Sequence, residues 1–231
     1  MPSAHVIVSD LDDPKLDAAD VHHLDKVLRL RPGEQVGATD GQGGYLPCLY
    51  QGNGVLRSDG PVSRQAPRAP SLTVGFAAVK GDRPDWAVQK LTELGVDRIM
   101  LFATRRTVVR WQADRSAPHV ERLRRVARSA VMQSRQCWLP KVDVLDGWRG
   151  LLVGAGDGGV ALAQPGAPGI RQGVHTVLVG PEGGWSPEEL AEAPSQVGLG
   201  VAVLRTETAA VAAGVLLGSL RAGLVSHRVG D

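Results

Sequence analysis

Residues 177–190 read VLVGPEGGWSPEEL. The apolar run stops at Gly180, and a helix start follows almost at once. Ser186 fits an N-cap, Pro187 the first helical position and Glu189 the third, which is the spacing of a capping box. HTVLV (175–179) reads as a buried strand. The corner therefore lies where a strand hands over to a helix, at the sheet edge where open α/β folds bind ligands. Three glycines and a proline are more than a tight turn requires. Glycine lets backbone N–H groups approach a bound molecule closely, so a binding loop is favoured over a plain turn.

A second corner follows in VGLGVAVLRTETAAVAAGVLL (197–217). VAVL (201–204) has strand character. Arg205, Thr206, Glu207 and Thr208 then crowd four hydrogen-bonding side chains at its end. A threonine N-cap accounts for Thr206 or Thr208, but not for Arg205 and Glu207 together. The helix read over 207–224 is apolar nearly all round, so it is buried or forms a subunit interface. A rival glycine site, GAGDGG (154–159), matches GxGxxG in letters. A dinucleotide fingerprint must open a helix, and here strand-like VALAQP follows, so a surface turn is preferred. No GxxxxGK[ST] occurs.

The chain around these corners alternates. Strands are read at 71–79, 96–103, 141–145, 160–163 and 175–179, and helices at 83–95, 117–134 and 186–193. That order predicts a parallel sheet covered on both faces. Residues 60–70, GPVSRQAPRAP, carry three prolines and read as a linker. Before it lie strand-like pieces at 5–8, 34–40 and 45–50 and one helix at 18–30, with Val21, Leu24, Val27 and Leu28 on one face. This suggests a small β-barrel with one helix. The division is 1–70, with the linker, and 71–231.

The 231 residues, 43% hydrophobic and 22% charged, allow a sizeable core in an ordinary globular protein. Cys48 and Cys137 have neither metal-ligand nor disulfide-framework spacing, so a reducing compartment is expected and no metal. No signal-peptide pattern opens the chain, and no apolar run is long enough to span a membrane, which together point to the cytoplasm. The net charge of +2 is uneven. Nine arginines face two acids between Thr104 and Gln136, a local charge of +7. Such a segment suggests a polyanion partner, although a solvated helix face in an arginine-rich chain is the plainer alternative.

The corners carry a resemblance. GPEGGWSPEEL followed by GLGVAVLRTETAAVAA resembles the RsmE-type 16S ribosomal RNA (uracil-N3)-methyltransferases of the SPOUT superfamily. HHLDKVLRLRPGE, DGQGGYL, KGDRPDWAVQKLTELGV and QSRQCWLPKV look like the family's other blocks, in the same order. The family often has an acid ahead of Gln-Ser/Cys-Gly-Arg, whereas residues 129–136 here are SAVMQSRQ, so no role is carried over to that acid or glycine.

The resemblance implies an N-terminal PUA-like RNA-binding domain and a C-terminal SPOUT α/β domain with a trefoil knot. It implies a homodimer that uses S-adenosyl-L-methionine to methylate N3 of one uridine in 16S rRNA of the small ribosomal subunit. The cofactor would be held by Leu162 and Ala163 at one strand end and by Gly180, Pro181, Glu182, Gly183 and Gly184. Leu199, Gly200, Val203, Leu204, Arg205, Thr206 and Thr208 would complete its site. Uridine N3 carries a proton that must leave before it can attack, so Arg205 and Glu207 are the catalytic candidates: Arg205 to hold the anion, and Glu207, or else Glu182, to act as base. Arg205 and Glu207 pairing with each other is the structural alternative. Phosphate contacts would fall to Arg29, Arg31, Lys80, Arg83, Lys90, Arg124, Arg125, Arg128 and Arg135. Other readings are a related enzyme acting on another RNA position, a non-catalytic RNA-binding assembly factor and, least favoured, a nicotinamide enzyme using GAGDGG.

Overall fold

A computed structural model describes residues 2–107, 117–152 and 159–225. The GAGDGG stretch, apart from Gly159, and Arg110 and Arg115 of the basic segment lie outside the described residues. The chain forms two compact units, Met1–Arg68 with Arg128–Leu139, and Ala69–Ala127 with Pro140–Asp231. The sequence reading divides the chain once, near residue 70; the units also assign Arg128–Leu139 to the first.

In the first unit, strand β1 (Ala4–Ile7) pairs in parallel with β2 (Gln35–Thr39). β2 pairs antiparallel with β3 (Gly44–Tyr50), and β3 with both β4 (Leu56–Ser58) and β5 (Ser63–Arg64). Alternate side chains point one way, as the pleat requires, and Val6, Val36, Ala38, Leu46, Cys48 and Tyr50 close on Leu24 as a core. The result is a five-stranded mixed sheet. β5 lies inside the stretch read as a linker. Ser63 and Arg64 bond to Tyr45 and Gly44 through the backbone, which needs no apolar side chain.

The helix expected over 18–30 is shorter and changes pitch. α1 (Ala18–His22) is capped by Asp17, whose carboxylate accepts the Asp20 N–H at 2.7 Å. A π-turn over His23–Val27 follows. It packs more residues into a turn, so positions beyond it rotate off the core face. Leu24 stays buried, but Val27 is 60% exposed and Leu28 is 43% exposed, contrary to the single apolar face read from the sequence.

Also in this unit, Arg128 donates to both oxygens of the buried Asp20, at 2.9 and 2.6 Å, and to the Ile7 carbonyl at 2.9 Å. The hydrogen bonds to Asp20 raise its pKa. Arg135 has φ of 56°, a left-handed conformation that favours glycine. It stands where the resembling family has glycine. Cys48 and Cys137 are free and buried, and burial pushes the Cys48 thiol up to about 11.

The second unit is a six-stranded parallel sheet ordered β11–β9–β10–β6–β7–β8. Its strands are β6 (Thr73–Ala77), β7 (Arg98–Phe102), β8 (Lys141–Leu145), β9 (Val160–Ala163), β10 (Thr176–Val179) and β11 (Gln196–Val197). Successive residues face opposite layers. Val74, Phe76, Ile99, Leu101, Val177 and Val179 join the core beneath helices α2 (Arg83–Glu93) and α5 (Thr206–Arg221). Ala77, Phe102, Val160, Leu162 and Leu178 join Trp148 and Trp185 on the other face. Fully burying each of the large side chains contributes about 2 kcal/mol. α3 (Ala117–Ser134) and α4 (Pro187–Glu192) complete the helices.

α2 begins beside the buried Pro84 and ends at Gly95, whose φ of 74° stops it. α5 lies close against α2: a Cβ added at Gly214 would come within 2.6 Å of Leu91 Cδ2. Ala213, Gly214 and Leu217 are therefore core positions of this chain. Residues 201–204, expected as a strand, form a loop in which Val201 and Val203 are exposed. The edge strand is instead the two-residue β11, paired with β9. Among the described residues no helix is long and apolar enough to cross a membrane.

Candidate active site

Three stretches of the second unit leave their parallel strands at one edge and enclose a cleft. Ala163, Gln164 and Pro165 follow β9; Gly180, Pro181, Glu182, Gly184 and Trp185 follow β10; Leu199, Gly200, Ala202, Val203 and Leu204 lead into α5. Val179, Thr206 and Ala209 form the rest of its lining.

Hydrogen bonds tie these stretches together. Trp185 Nε1 donates to the Ala163 carbonyl at 3.1 Å, and Thr206 Oγ1 donates to the Gly180 carbonyl at 3.0 Å. A Cβ on Gly180 would sit 3.0 Å from the Trp185 ring, so glycine there admits the indole. Gly184 has φ of 69° and Gly200 φ of 152°, and a Cβ on either would meet no protein atom within 4 Å. Both therefore leave backbone uncovered.

The loop is braced from below by the predicted capping box. Ser186 Oγ accepts the Glu189 N–H at 3.2 Å, and Glu189 Oε2 accepts the Ser186 N–H at 2.8 Å. The other oxygen of this buried carboxylate accepts the Arg105 N–H at 3.2 Å. Arg106 donates to the carbonyls of Gly183 and Trp185 at 2.9 and 3.1 Å.

Of the expected cofactor residues, the cleft gathers Ala163, Gly180, Pro181, Glu182, Gly184, Leu199, Gly200, Val203, Leu204 and Thr206. Leu162 is outside it, fully buried in the sheet. Gly183 is turned to Arg106, with space for a Cβ 3.5 Å from that side chain's own Cβ. Arg205 is the exposed N-cap of α5, and Thr208 is exposed one turn on. Gln164 and Pro165, from the strand end LAQP (162–165) that the resemblance sets beside the pocket, also line the cleft, as do Val179, Trp185, Ala202 and Ala209, which the sequence reading does not name there. The polar "QP" closing β9 was the available signal for the first two; nothing in the local pattern marked Ala202 or Ala209.

Arg205 and Glu207 do not pair. Glu207 is buried in the first turn of α5, with Oε1 3.7 Å from Arg83 Nε and Oε2 without a hydrogen-bond partner among the described residues. Arg83 also donates to Glu182 Oε1 at 3.2 Å. Arg205 makes no ion pair among the described residues.

The expected phosphate contacts separate into engaged and exposed groups. Arg128 is committed to Asp20; Arg124 pairs with Glu121 at 2.7 Å and with Asp143 at 2.8 Å. Lys90 pairs with Glu93 at 2.9 Å. Arg125 donates to the Glu121 carbonyl at 3.4 Å and makes no ion pair among the described residues. Lys80 is exposed and lines a hollow with His119 and Arg122. In the first unit Arg29, Arg31 and Arg135 are exposed.

An open parallel sheet with a backbone-lined cleft at its strand ends is the arrangement of an α/β protein that binds a small organic ligand. The chain belongs to the RNA methyltransferase family, whose domain model matches residues 67–218. A model described as the RNA methyltransferase PUA domain matches residues 16–46. The chain is 34% identical over 219 residues to ribosomal RNA small subunit methyltransferase E of Mycobacterium bovis, covering 86% of this chain and 83% of that one. The Bacillus subtilis protein of the same name is 27% identical, covering 82% and 83%. Among solved structures, a ribosomal RNA small subunit methyltransferase E from Neisseria gonorrhoeae bound to S-adenosyl methionine aligns with a TM-score of 0.79 and 27% identity. That alignment covers 94% of this chain and 97% of the other.

Proposed function

We propose that this protein uses S-adenosylmethionine to methylate N3 of a single uridine in the 16S rRNA of the small ribosomal subunit. The observation that carries the reading is the cleft, which joins three strand ends around uncovered backbone. Its walls suit a ligand that is part apolar ring and part charged chain: Leu199, Leu204 and Val179 are apolar, Glu182 supplies an acid near the rim, and Gly184 and Gly200 leave room for close approach. When bound, S-adenosylmethionine supplies an electrophilic methyl group on a sulfonium.

The chain's own residues supply the rest. Glu207, in the first turn of α5, takes the N3 proton; its Oε2 has no hydrogen-bond partner among the described residues. Arg205, exposed and without an ion pair among the described residues, holds the uracil anion. Arg29, Arg31, Lys80 and Arg125 contact phosphates, a sequence-independent and salt-sensitive task. The target base must leave its stack to be reached. The compartment is the cytoplasm, and the fold carries the family's trefoil knot.

Mass spectrometry of rRNA from a strain lacking the protein should show one 3-methyluridine missing. Complementation with the wild type should restore it, and Glu207→Gln should not, with a loss of about 100-fold or more in kcat for the purified variant. A methylated ring atom other than N3 would overturn the uridine-N3 reading. Full restoration by Glu207→Gln would overturn the base.

A homodimer is part of the same proposal. Ala213 and Gly214 are buried within the chain, so the interface falls to the outer stripe of α5 around Ala212, Val215 and Leu216. Sedimentation should give a dimer for the wild type and a folded monomer for Val215→Glu. A monomeric wild type with normal activity would end this part of the reading.

A further inference from the structure

Leu24 and Leu30 anchor a short knuckle of the first unit. Leu24 is buried in that unit's core, and Leu30 packs against it. The Leu30 N–H donates to the Leu24 carbonyl at 3.0 Å, and the Leu28 N–H to the His23 carbonyl at 2.9 Å. Between the anchors, every residue from Lys26 to Arg29 is exposed. The knuckle is also fixed from within. The fully buried Tyr50 donates its hydroxyl proton to Asp25 Oδ1 and accepts the Gly54 N–H at 3.0 Å.

Two features of the knuckle cost stability and serve nothing inside the unit. Val27 and Leu28 present apolar surface to water. Arg29 has φ of 53° just past the turn, where glycine adopts that conformation without strain. A turn that needed only to end would do so better with glycine, and strain of this kind gathers at functional sites. The same stretch is cationic. Lys26 to Gly33 holds Lys26, Arg29 and Arg31 and no acid. None of the three makes an ion pair among the described residues.

Cations set beside bare aliphatic groups suit one form of polyanion best. The cations match phosphates. Val27 and Leu28 have no hydrogen-bonding side chain, so what they can cover is the face of a base. In a regular duplex those faces are stacked on one another, whereas in an unpaired stretch they are open. Apolar side chains likewise lodge against unstacked base steps.

We propose that the knuckle from Lys26 to Arg31 is the first unit's contact for unpaired nucleotides of the rRNA: Val27 and Leu28 cover open base faces, and Lys26, Arg29 and Arg31 hold the phosphates beside them. This rests on the reading of rRNA as the substrate, and adds that the first unit selects an unpaired segment over a regular duplex. The π-turn is the device that builds the contact. At ordinary helical pitch Val27 and Leu28 would share the core face with Leu24.

The test uses the full-length protein, the double variant Val27→Ser with Leu28→Ser, and Arg29→Gly. The probes are an unpaired oligouridine and a fully paired RNA duplex of equal length. Affinity is measured against salt for both, with urea unfolding for stability. Counterion release alone favours the duplex, whose charge density is higher; wild type should nonetheless bind the oligouridine more tightly. The double variant should lose about ten-fold on the oligouridine at an unchanged salt slope, and less than about two-fold on the duplex. Arg29→Gly should lower the slope by about one on either probe, while its urea midpoint stays at or above that of wild type. A residue that merely ended the turn would leave the slope unmoved.

Tighter wild-type binding to the duplex, or an equal effect of the double variant on both probes, would overturn the base contact. An unchanged slope in Arg29→Gly would overturn its phosphate contact. A double variant that sediments as a monomer beside a dimeric wild type, with both RNA affinities intact, would make the patch an interface between copies and overturn the proposal. The reading beneath it fails differently: wild-type protein that transfers no methyl group from S-adenosylmethionine to 16S rRNA removes the substrate, and this contact with it.

Discussion

Gly184→Val should lower S-adenosylmethionine affinity by on the order of 100-fold while leaving the sheet folded. Two effects add. The residue has φ of 69°, where a β-branched side chain is strained. The new side chain also covers backbone on the wall of the cleft, in space that no protein atom now fills. Because nothing in the protein lies in its way, the cost falls on the ligand and the loop rather than on the core. The neighbouring Gly183→Val is the internal control. Its Cβ would make an ordinary contact with Arg106, away from the cleft, so its affinity should remain within a few-fold of wild type. Calorimetry on both variants decides the matter, and wild-type affinity in Gly184→Val would remove this loop from the cofactor site.

The largest effect on stability should come from Arg128→Ala, at about 3 kcal/mol. The Asp20 side chain is only 6% exposed, and Arg128 meets both of its oxygens. Truncating the arginine leaves a buried carboxylate and the Ile7 carbonyl without their donor. Asp17, which lies 3.6 Å from Arg128 Nη2, is itself an acid and cannot compensate. Arg125→Ala should do the reverse: it is exposed and, among the described residues, bonds only a backbone carbonyl, so stability should change by less than about 0.5 kcal/mol while RNA binding loses part of its salt dependence. Urea unfolding of the two single variants separates these outcomes. Equal stability of Arg128→Ala and wild type would mean that the Asp20 pair is not structural.

The corner at 177–190 was legible because its signals are local. Ser186, Pro187 and Glu189 specify a helix start by spacing alone, and the reciprocal hydrogen bonds are present. The alternation of strands and helices was legible for the same reason. What could not be read depended on partners distant in sequence or on a change of period. VAVL has strand composition, yet Val203 forms cleft wall, so its apolar character serves a surface rather than a sheet. Val27 and Leu28 were placed inward by a period of 3.6 that the π-turn breaks. Arg124 and Arg128 belong to the same basic run as Arg125, and only the fold reveals that Asp143 and Asp20 already neutralise them. Glu207 lies beside Arg83, 124 positions earlier in the chain, rather than beside Arg205.

The order of the parallel sheet has a consequence for the growing polypeptide. β6 pairs with β7, which follows it closely, but also with β10, where Thr73 lies opposite Thr176. The central seam of the sheet therefore joins segments about a hundred residues apart, and such distant pairings close slowly. On the ribosome, β6 emerges with one flank unpaired and waits for most of the second unit to be translated. The cleft waits longer still, because its last wall, Leu199 to Ala209, is made after β10. A chain released early, before that wall exists, would already display the β6 and β7 strands but would have no complete place to hold a cofactor.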